Sequence, residues 1–181
     1  MIPLESLVGR QMITSDAYDV GEIIDVRYDP FEWNVLGLKL KSKRSEKLAA
    51  GSGKVVLIRP EKFVMNDVML LSHPIDRLKD SVAVDNNNMS SLSSLISTKV
   101  VTKDSILLGN VVTVMIDAEA WKVRSVVVRL DKAAIEAMKM KKGLFEKINA
   151  EIKTDLILSS KDMIHLNEPI SGVRENMTVL N

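Results

Sequence analysis

The sequence predicts a mainly β protein made of two small β-barrels in tandem, the second of which carries a helical insertion. Three observations support this prediction: the 181-residue chain repeats itself, apolar residues alternate along short segments, and one stretch alone has the composition of a helix. Alternation at every second residue places the apolar side chains on one face of a strand. Curling such a sheet into a barrel removes its exposed edges, so short strands with little helix favour a barrel.

The internal repeat relates residues 4–41 to residues 92–129, which align without a gap at an offset of 88. Ten of the 38 aligned positions are identical, where roughly two or three are expected from average composition. A later segment around a Pro-Ile pair, at 74–75 and 169–170, recurs at an offset of 95. The identical pairs that carry motifs are Thr14/Thr102, Asp16/Asp104, Gly21/Gly109, Asp29/Asp117 and Trp33/Trp121.

The repeat sets the expected domain boundaries. We expect a first barrel over residues 1–80, a linker over 81–90, a second barrel over 91–176 and a tail over 177–181. The linker is rich in Asn and Ser, which is typical of loops. Residues 131–153 are rich in Ala, Lys, Glu and Met and are predicted to form two short helices interrupted at Gly143.

Five short strands are predicted in each repeat, and the third opens at Trp33 or Trp121. The others are predicted in pairs at 11–14 and 99–102, 22–28 and 110–116, 55–58 and 156–158, and 68–71 and 163–166. A turn with a glycine, Gly21 or Gly109, leads into the second strand, since glycine accepts positive φ at no steric cost.

The second strand of the first repeat has the clearest alternation. Ile24, Val26 and Tyr28 are predicted to face the core, and Asp25 and Arg27 are predicted to face solvent. The same strand lies in the stretch YDVGEIIDVRYDPFEW, which holds five carboxylates within sixteen residues.

These carboxylates raise the question of a metal or catalytic site. Asp19, Glu22 and Asp25 are replaced in the second repeat, whereas the turn residues of the hairpin recur. The replacing residues are Leu107, Asn110 and Thr113. Because metal binding needs several carboxylates that converge on one point, we interpret the stretch as a hairpin and predict no catalytic residue, metal or cofactor.

The amino-acid composition excludes several further classes of site and of protein. The chain has no cysteine, which excludes disulfides, thiolate nucleophiles and Cys-based zinc sites and fits a reducing cytoplasm. The formal net charge of +1 does not favour nucleic acid. No run of apolar residues approaches the roughly 18 needed to span a bilayer. We therefore expect a soluble cytoplasmic protein.

The recurring pattern resembles the PRC-barrel domain family. The residues that carry the resemblance are an apolar residue and Gly9, a Thr-x-Asp turn, a glycine before an alternating strand, an Asp and Trp hairpin, and the later Pro-Ile. The second repeat has Ser97 where the first has Gly9, and it has the insertion. The resemblance covers nearly all of both repeats.

The resemblance implies a non-enzymatic protein-interaction adaptor. It further implies a role in archaeal cell division, with SepF, the membrane-anchoring factor of the FtsZ ring, or another PRC-barrel protein as partner. Such a partner would recruit the chain to the division site at the membrane, and a homodimer is a further candidate. The alternative is an RNA- or ribosome-associated maturation factor similar to RimM.

The predicted partner interface lies on the second repeat, whose outer positions are more apolar than those of the first. It consists of Ile106, Leu107, Leu108, Val111, Met115 and Val127. Exposed apolar residues on one face indicate contact with another protein, unless the insertion at 131–153 folds over this face, which the sequence leaves open. Under the RNA alternative, a basic loop would contact phosphate through Lys41, Lys43, Arg44 and Lys47.

Overall fold

The computed structural model describes residues 1–41, 56–59, 64–65, 67–140 and 147–180, and it divides into two compact units. The N-terminal unit comprises Pro3–Ser93 and the turn Ala118–Trp121. The C-terminal unit comprises Ser94–Asp117, Lys122–Asn181 and the first two residues of the chain.

Both units are mainly β, as the sequence predicts. The strands that start in the first repeat or its connection to the second are β1 (Ile2–Pro3), β2 (Gln11–Ile13), β3 (Asp19–Tyr28), β4 (Val35–Lys41), β5 (Val56–Ile58), β6 (Val64–Met65), β7 (Met69–Leu70), β8 (Val82–Val84) and β9 (Ser90–Ser91). The strands that follow are β10 (Lys99–Val101), β11 (Leu107–Asp117), β12 (Lys122–Leu130), β13 (Asn149–Lys153), β14 (Ile157–Ser160), β15 (Ile164–Leu166) and β16 (Thr178–Leu180). The described α-helices are α1 (Lys132–Ala137) and α2 (Ile170–Asn176), and the described 3₁₀ segments are Leu4–Ser6, Ile75–Ser81, Ser93–Leu95 and Thr154–Leu156.

The two sheets have the same topology. The N-terminal unit has the strand order β6-β7-β2-β3-β4-β5-β8, and the C-terminal unit has the order β14-β15-β10-β11-β12-β13-β16. Each sheet is a curled half-barrel, and within the described ranges its two end strands do not pair with each other. The described strand pairing therefore shows curled half-barrels, and closure into barrels stays a prediction.

Two short strands lie off these paths and belong to corresponding places in the repeats. β9 pairs with β3 in the N-terminal unit, where Ser91 lies opposite Arg27 and Ser90 opposite Tyr28. β1, which is 88 residues earlier, pairs instead with β11. The sheet of the C-terminal unit therefore includes β1, which is the first strand of the chain. Each of these two short strands pairs with the sheet of the other repeat, which sequence periodicity does not reveal.

The predicted helical insertion is wrong over residues 149–153, which form a strand. The helix α1 begins after Asp131, whose side chain accepts a hydrogen bond from the Ala133 backbone N–H at 3.0 Å. Residues 149–153 form β13, which pairs with β12 and β16. Ala150 and Ile152 are buried, so this segment alternates with the period of a strand although its composition suggests helix. The predicted interruption at Gly143 lies outside the described residues.

The strand β13 also changes the match between the two repeats. It pairs with β12 as β5 pairs with β4, so it occupies the place of β5. The predicted equivalence of 55–58 with 156–158 is therefore wrong, and β14 instead corresponds to β6. The expected linker and tail contain β8 and β16, which pair with β5 and β13 as the outermost strands of the two sheets.

A β-bulge in β3 changes which side chains of this strand face the core, so part of the predicted alternation is wrong. The register with β4 shifts between Ile23 and Asp25, so the alternation reverses at this point. Ile23 is fully buried, whereas Ile24, which is predicted to be inside, is 38% exposed. Val26 and Tyr28 lie in the core as predicted.

Asp25 and Arg27 do not form a solvated surface. Asp25 is buried and accepts hydrogen bonds from the backbone N–H groups of Val26 at 2.8 Å and Ser93 at 3.3 Å. Arg27 forms ion pairs with Asp25 at 3.2 Å and with Asp85 at 2.9 Å. These polar contacts bind the segment that precedes the second repeat to β3. Asp25 and Arg27 therefore have a role that is specific to the first repeat, and the second repeat does not need charged residues at these positions.

The Thr-x-Asp and Pro-Ile motifs, which lie far apart in the sequence, meet in the structure. The Thr102 hydroxyl donates to the Asp104 carboxylate at 2.6 Å and accepts from the Ile106 backbone N–H at 3.1 Å. The same carboxylate accepts from the Ile170 N–H, the first residue of α2, at 3.1 Å. The first repeat makes the same three contacts with Thr14, Asp16, Tyr18 and Ile75. The duplicated polar residues therefore close a turn and cap a helical segment.

This arrangement predicts an acid dependence of stability. Hydrogen bonds from the Thr102 hydroxyl and from the backbone N–H groups of Asp104 and Ile170 hold the pKa of exposed Asp104 below its ordinary value of 3.8, although some desolvation opposes them. Because the folded-state pKa is the lower one, ionised Asp104 stabilises the fold above the unfolded pKa, and the effect is lost as the pH falls through the folded pKa.

We expect Asp104→Asn to remove this part of the acid dependence below about pH 4. Urea unfolding at neutral pH and near pH 3 measures it, with Asp162→Asn at an exposed turn position as the control. An Asp104→Asn protein that loses stability with acid as steeply as the natural protein would contradict the assignment.

Candidate interaction surface on the C-terminal unit

Three of the six residues predicted for the partner interface lie in the core. Leu108, Val111 and Val127 are 0%, 1% and 5% exposed, respectively. β11 has register shifts on both sides of this region, so the outward positions expected from simple alternation differ from those observed. These three residues are therefore not available to a partner, and the prediction is corrected for them.

The other three predicted residues, Ile106, Leu107 and Met115, are half-buried, but they do not form one patch. Leu107 begins β11 and Met115 lies eight residues later, which is roughly 26 Å along a strand. The helix α1 packs against β11, and its Ala134 and Ile135 are buried. The insertion therefore contacts the strand that carries most of the predicted interface.

The structure places a different set of solvent-accessible side chains in a row with Leu107. Leu107 lies opposite Val101 on β10, Val101 opposite His165 on β15, and His165 opposite Ser159 on β14. The side chains of this row are half-buried or exposed, in contrast to the adjoining Val100 and Ile164, which are buried. The row crosses the sheet from β11 to its outermost strand β14.

Two further apolar side chains flank this row. Leu158, at a bulge in β14, is 74% exposed, and Met163, just before β15, is 38% exposed. We call Val101, Leu107, Leu158 and Met163 the apolar face. Sequence analysis found Leu107 but missed Leu158, because a register shift in the β14–β15 hairpin falls at this residue and simple alternation does not predict it.

The N-terminal unit has a polar group at the corresponding place. Asp19 replaces Leu107 and lies opposite Ile13, and its carboxylate accepts a hydrogen bond from the Gln11 side chain. The replacement of Asp19 by Leu107 between the repeats is therefore the sequence signal that located this part of the apolar face. It distinguishes the two units at a matched position.

The remaining predicted features are placed as follows. The described residues include no group of three or more His, Cys, Asp or Glu side chains arranged to hold a metal. Lys41 is exposed at the end of β4, whereas Lys43, Arg44 and Lys47 lie outside the described residues. No helix in the described ranges is long and apolar enough to cross a membrane.

These observations define a class of protein before any comparison: a pair of small curled β units whose repeated polar residues serve turns and caps, with the apolar face on the C-terminal unit. Residues 87–144 match the model of the PRC-barrel domain family, which confirms the resemblance of the sequence over this part of the chain. Domains of this family are generally non-catalytic interaction modules. No curated protein matches the sequence.

Proposed function

We propose that this chain is a non-enzymatic adaptor that holds a protein partner on the apolar face. The observation that carries the proposal is the exposure of Leu158, at 74%, on the outermost strand of the C-terminal unit. Half-buried Leu107 and Val101 continue the same face across the sheet. Clustered apolar groups on the surface of a soluble unit are typical of protein contact sites, and their burial supplies the binding free energy.

We further propose archaeal cell division as the setting, with a SepF-like membrane-anchoring factor as the partner. The support for this finer proposal is the resemblance of the repeats to stand-alone PRC-barrel proteins of archaea. The partner would bring the chain from the cytoplasm to the division site. A second PRC-barrel protein is the alternative partner.

We expect Leu107→Asp combined with Leu158→Glu to weaken binding of a purified SepF-like factor at least tenfold, measured by calorimetry. The first change copies the residue that the N-terminal unit has at the same place, so the fold should tolerate it. Phe31→Glu is the matched control, since it removes an apolar side chain that is 88% exposed on the N-terminal unit. It should leave the partner's affinity unchanged.

Two outcomes would contradict the proposal. A folded double variant that binds as well as the natural protein would exclude the apolar face. A natural protein that ignores the SepF-like factor but retains RNA, with nuclease sensitivity and a steep loss of affinity with salt, would instead support the RimM-like alternative. Circular dichroism of each variant establishes that the fold is intact.

A further inference from the structure

The turn between β3 and β4 presents a large apolar side chain to solvent. Phe31 is 88% exposed, the highest value among the large apolar side chains of the described residues. The second repeat has Glu119 at this position, 88 residues later. A single exposed apolar residue is ordinary on a soluble protein, so its significance depends on how it is held and on what could receive it.

The backbone around Phe31 is held firmly. The Asp29 carboxylate accepts hydrogen bonds from the backbone N–H groups of Phe31 at 2.8 Å and Glu32 at 3.3 Å. The Trp33 N–H donates to the Asp29 carbonyl at 2.8 Å, and the Trp33 ring stacks on Tyr28 at 5.3 Å between centroids. Because the turn is already ordered, contact through Phe31 would cost little conformational entropy.

The C-terminal unit contains a cavity that suits such a side chain. It lies between α1 and α2 and has a volume of about 260 Å³. Ala137, Met138 and Ile170 form apolar parts of its wall. A cavity of roughly 150 Å³ already accepts a benzene molecule, so a phenyl ring fits here.

The charges of the cavity wall also favour binding of the turn that carries Phe31. Lys139 and Arg174 lie in the cavity wall, and neither has an ion-pair partner among the described residues. Glu175 is the opposing charge there, which leaves the wall with a net positive charge. Glu32 is exposed next to Phe31, so the turn brings a carboxylate together with the ring. A cation beside the face of a phenyl ring adds a further attraction.

We propose that Phe31 of one copy of this chain enters the cavity between α1 and α2 of a second copy, with Glu32 next to Lys139 and Arg174. The two surfaces differ, so the contact is heterologous and adds copies head to tail, giving a ring or a filament. The area involved is small, so the association is weak and depends on protein concentration.

Sedimentation velocity over about 10 µM to 1 mM should show growing assemblies of the natural protein, a range that spans weak affinities. We expect Phe31→Glu to lower the association constant at least tenfold, and Ala137→Glu, which places a carboxylate in the cavity, to do the same. The control for Ala137→Glu is Ala133→Glu, on the same helix but outside the cavity wall. The control for Phe31→Glu is Val84→Glu, which changes an apolar side chain that is 41% exposed on the same unit.

Mixing the two impaired variants gives the sharpest test. Phe31→Glu retains the cavity and Ala137→Glu retains the phenyl ring, so together they should form a pair of one copy each that cannot grow further. A natural protein that stays monomeric at about 1 mM, impaired variants that assemble normally, or a mixture that stays monomeric would each overturn the proposal. Self-association is independent of the proposed adaptor role, because Leu107→Asp with Leu158→Glu affects the partner alone.

Discussion

Substituting Gly109 by Ala is expected to destabilise the C-terminal unit by about 3 kcal/mol or more, because the position combines two steric constraints. Gly109 has a φ of +153°, a conformation that side chains rarely adopt. A Cβ there would overlap the Arg129 carbonyl oxygen and lie 2.9 Å from the Arg129 carbonyl carbon. Both atoms belong to the backbone of β12, so relief requires the strands to separate. The free energy of unfolding in urea measures the effect.

Gly9→Ala is the matched control for this substitution. Gly9 also has a positive φ, +89°, but a Cβ added there would meet nothing within 4 Å. The expected cost is therefore the backbone conformation alone, about 1 kcal/mol. The second repeat already has a side chain at this place, since Ser97 adopts a φ of +68°. Equal losses from Gly9→Ala and Gly109→Ala would mean that the close approach of β12 does not determine the effect.

Substituting Val127 by Glu is expected to cost about 3–5 kcal/mol, which distinguishes its place in the core from the partner surface predicted from the sequence. Val127 is 5% exposed, so the new carboxylate would be removed from water without a partner. Glu151 lies directly opposite on β13, and like charges at this spacing repel. Urea unfolding measures the loss of free energy of unfolding. If the Glu variant does not fold, Val127→Thr, which introduces a smaller polar group, should show a smaller loss that can still be measured.

Leu107→Asp provides the comparison for Val127→Glu. Leu107 is half-buried at the start of β11, and the corresponding residue of the first repeat is Asp19. A carboxylate there remains in contact with water, so the expected loss of stability is below about 1 kcal/mol. A Val127→Glu protein as stable as the Leu107→Asp protein would contradict the burial of Val127 and indicate that this residue lies on the surface.

Much of the architecture follows from the duplication. Ten identical residues at a constant offset indicate one unit present twice. Thr14 and Asp16 recur because their side chains close a turn and cap a helical segment, and Gly21 recurs within β3 because its φ is +139°. The carboxylates that fail to recur, such as Asp19 and Asp25, could be separated from the architectural ones by comparing the repeats. Asp25 nevertheless proved structural in the first repeat, where it fastens a later segment of the chain.

Bulges limited the prediction of the surface. Each bulge adds one residue to a strand, which reverses the inward and outward positions beyond it. In β3 this exchanges Ile23 with Ile24, and near the start of β11 it leaves Leu108 buried beside half-buried Leu107. Leu158 was missed for a related reason, since its exposure depends on the pairing of β14 with β15.

The sequence by itself determined that the chain is mainly β, that one unit occurs twice, and that the PRC-barrel family is the one it resembles, because local alternation and turn chemistry are properties of neighbouring residues. The tertiary structure alone decided which apolar residues are exposed, that residues 149–153 form a strand, and that Ile2–Pro3 pairs with β11. These features depend on pairing between residues far apart in the chain, where a shift of one residue exchanges core and surface.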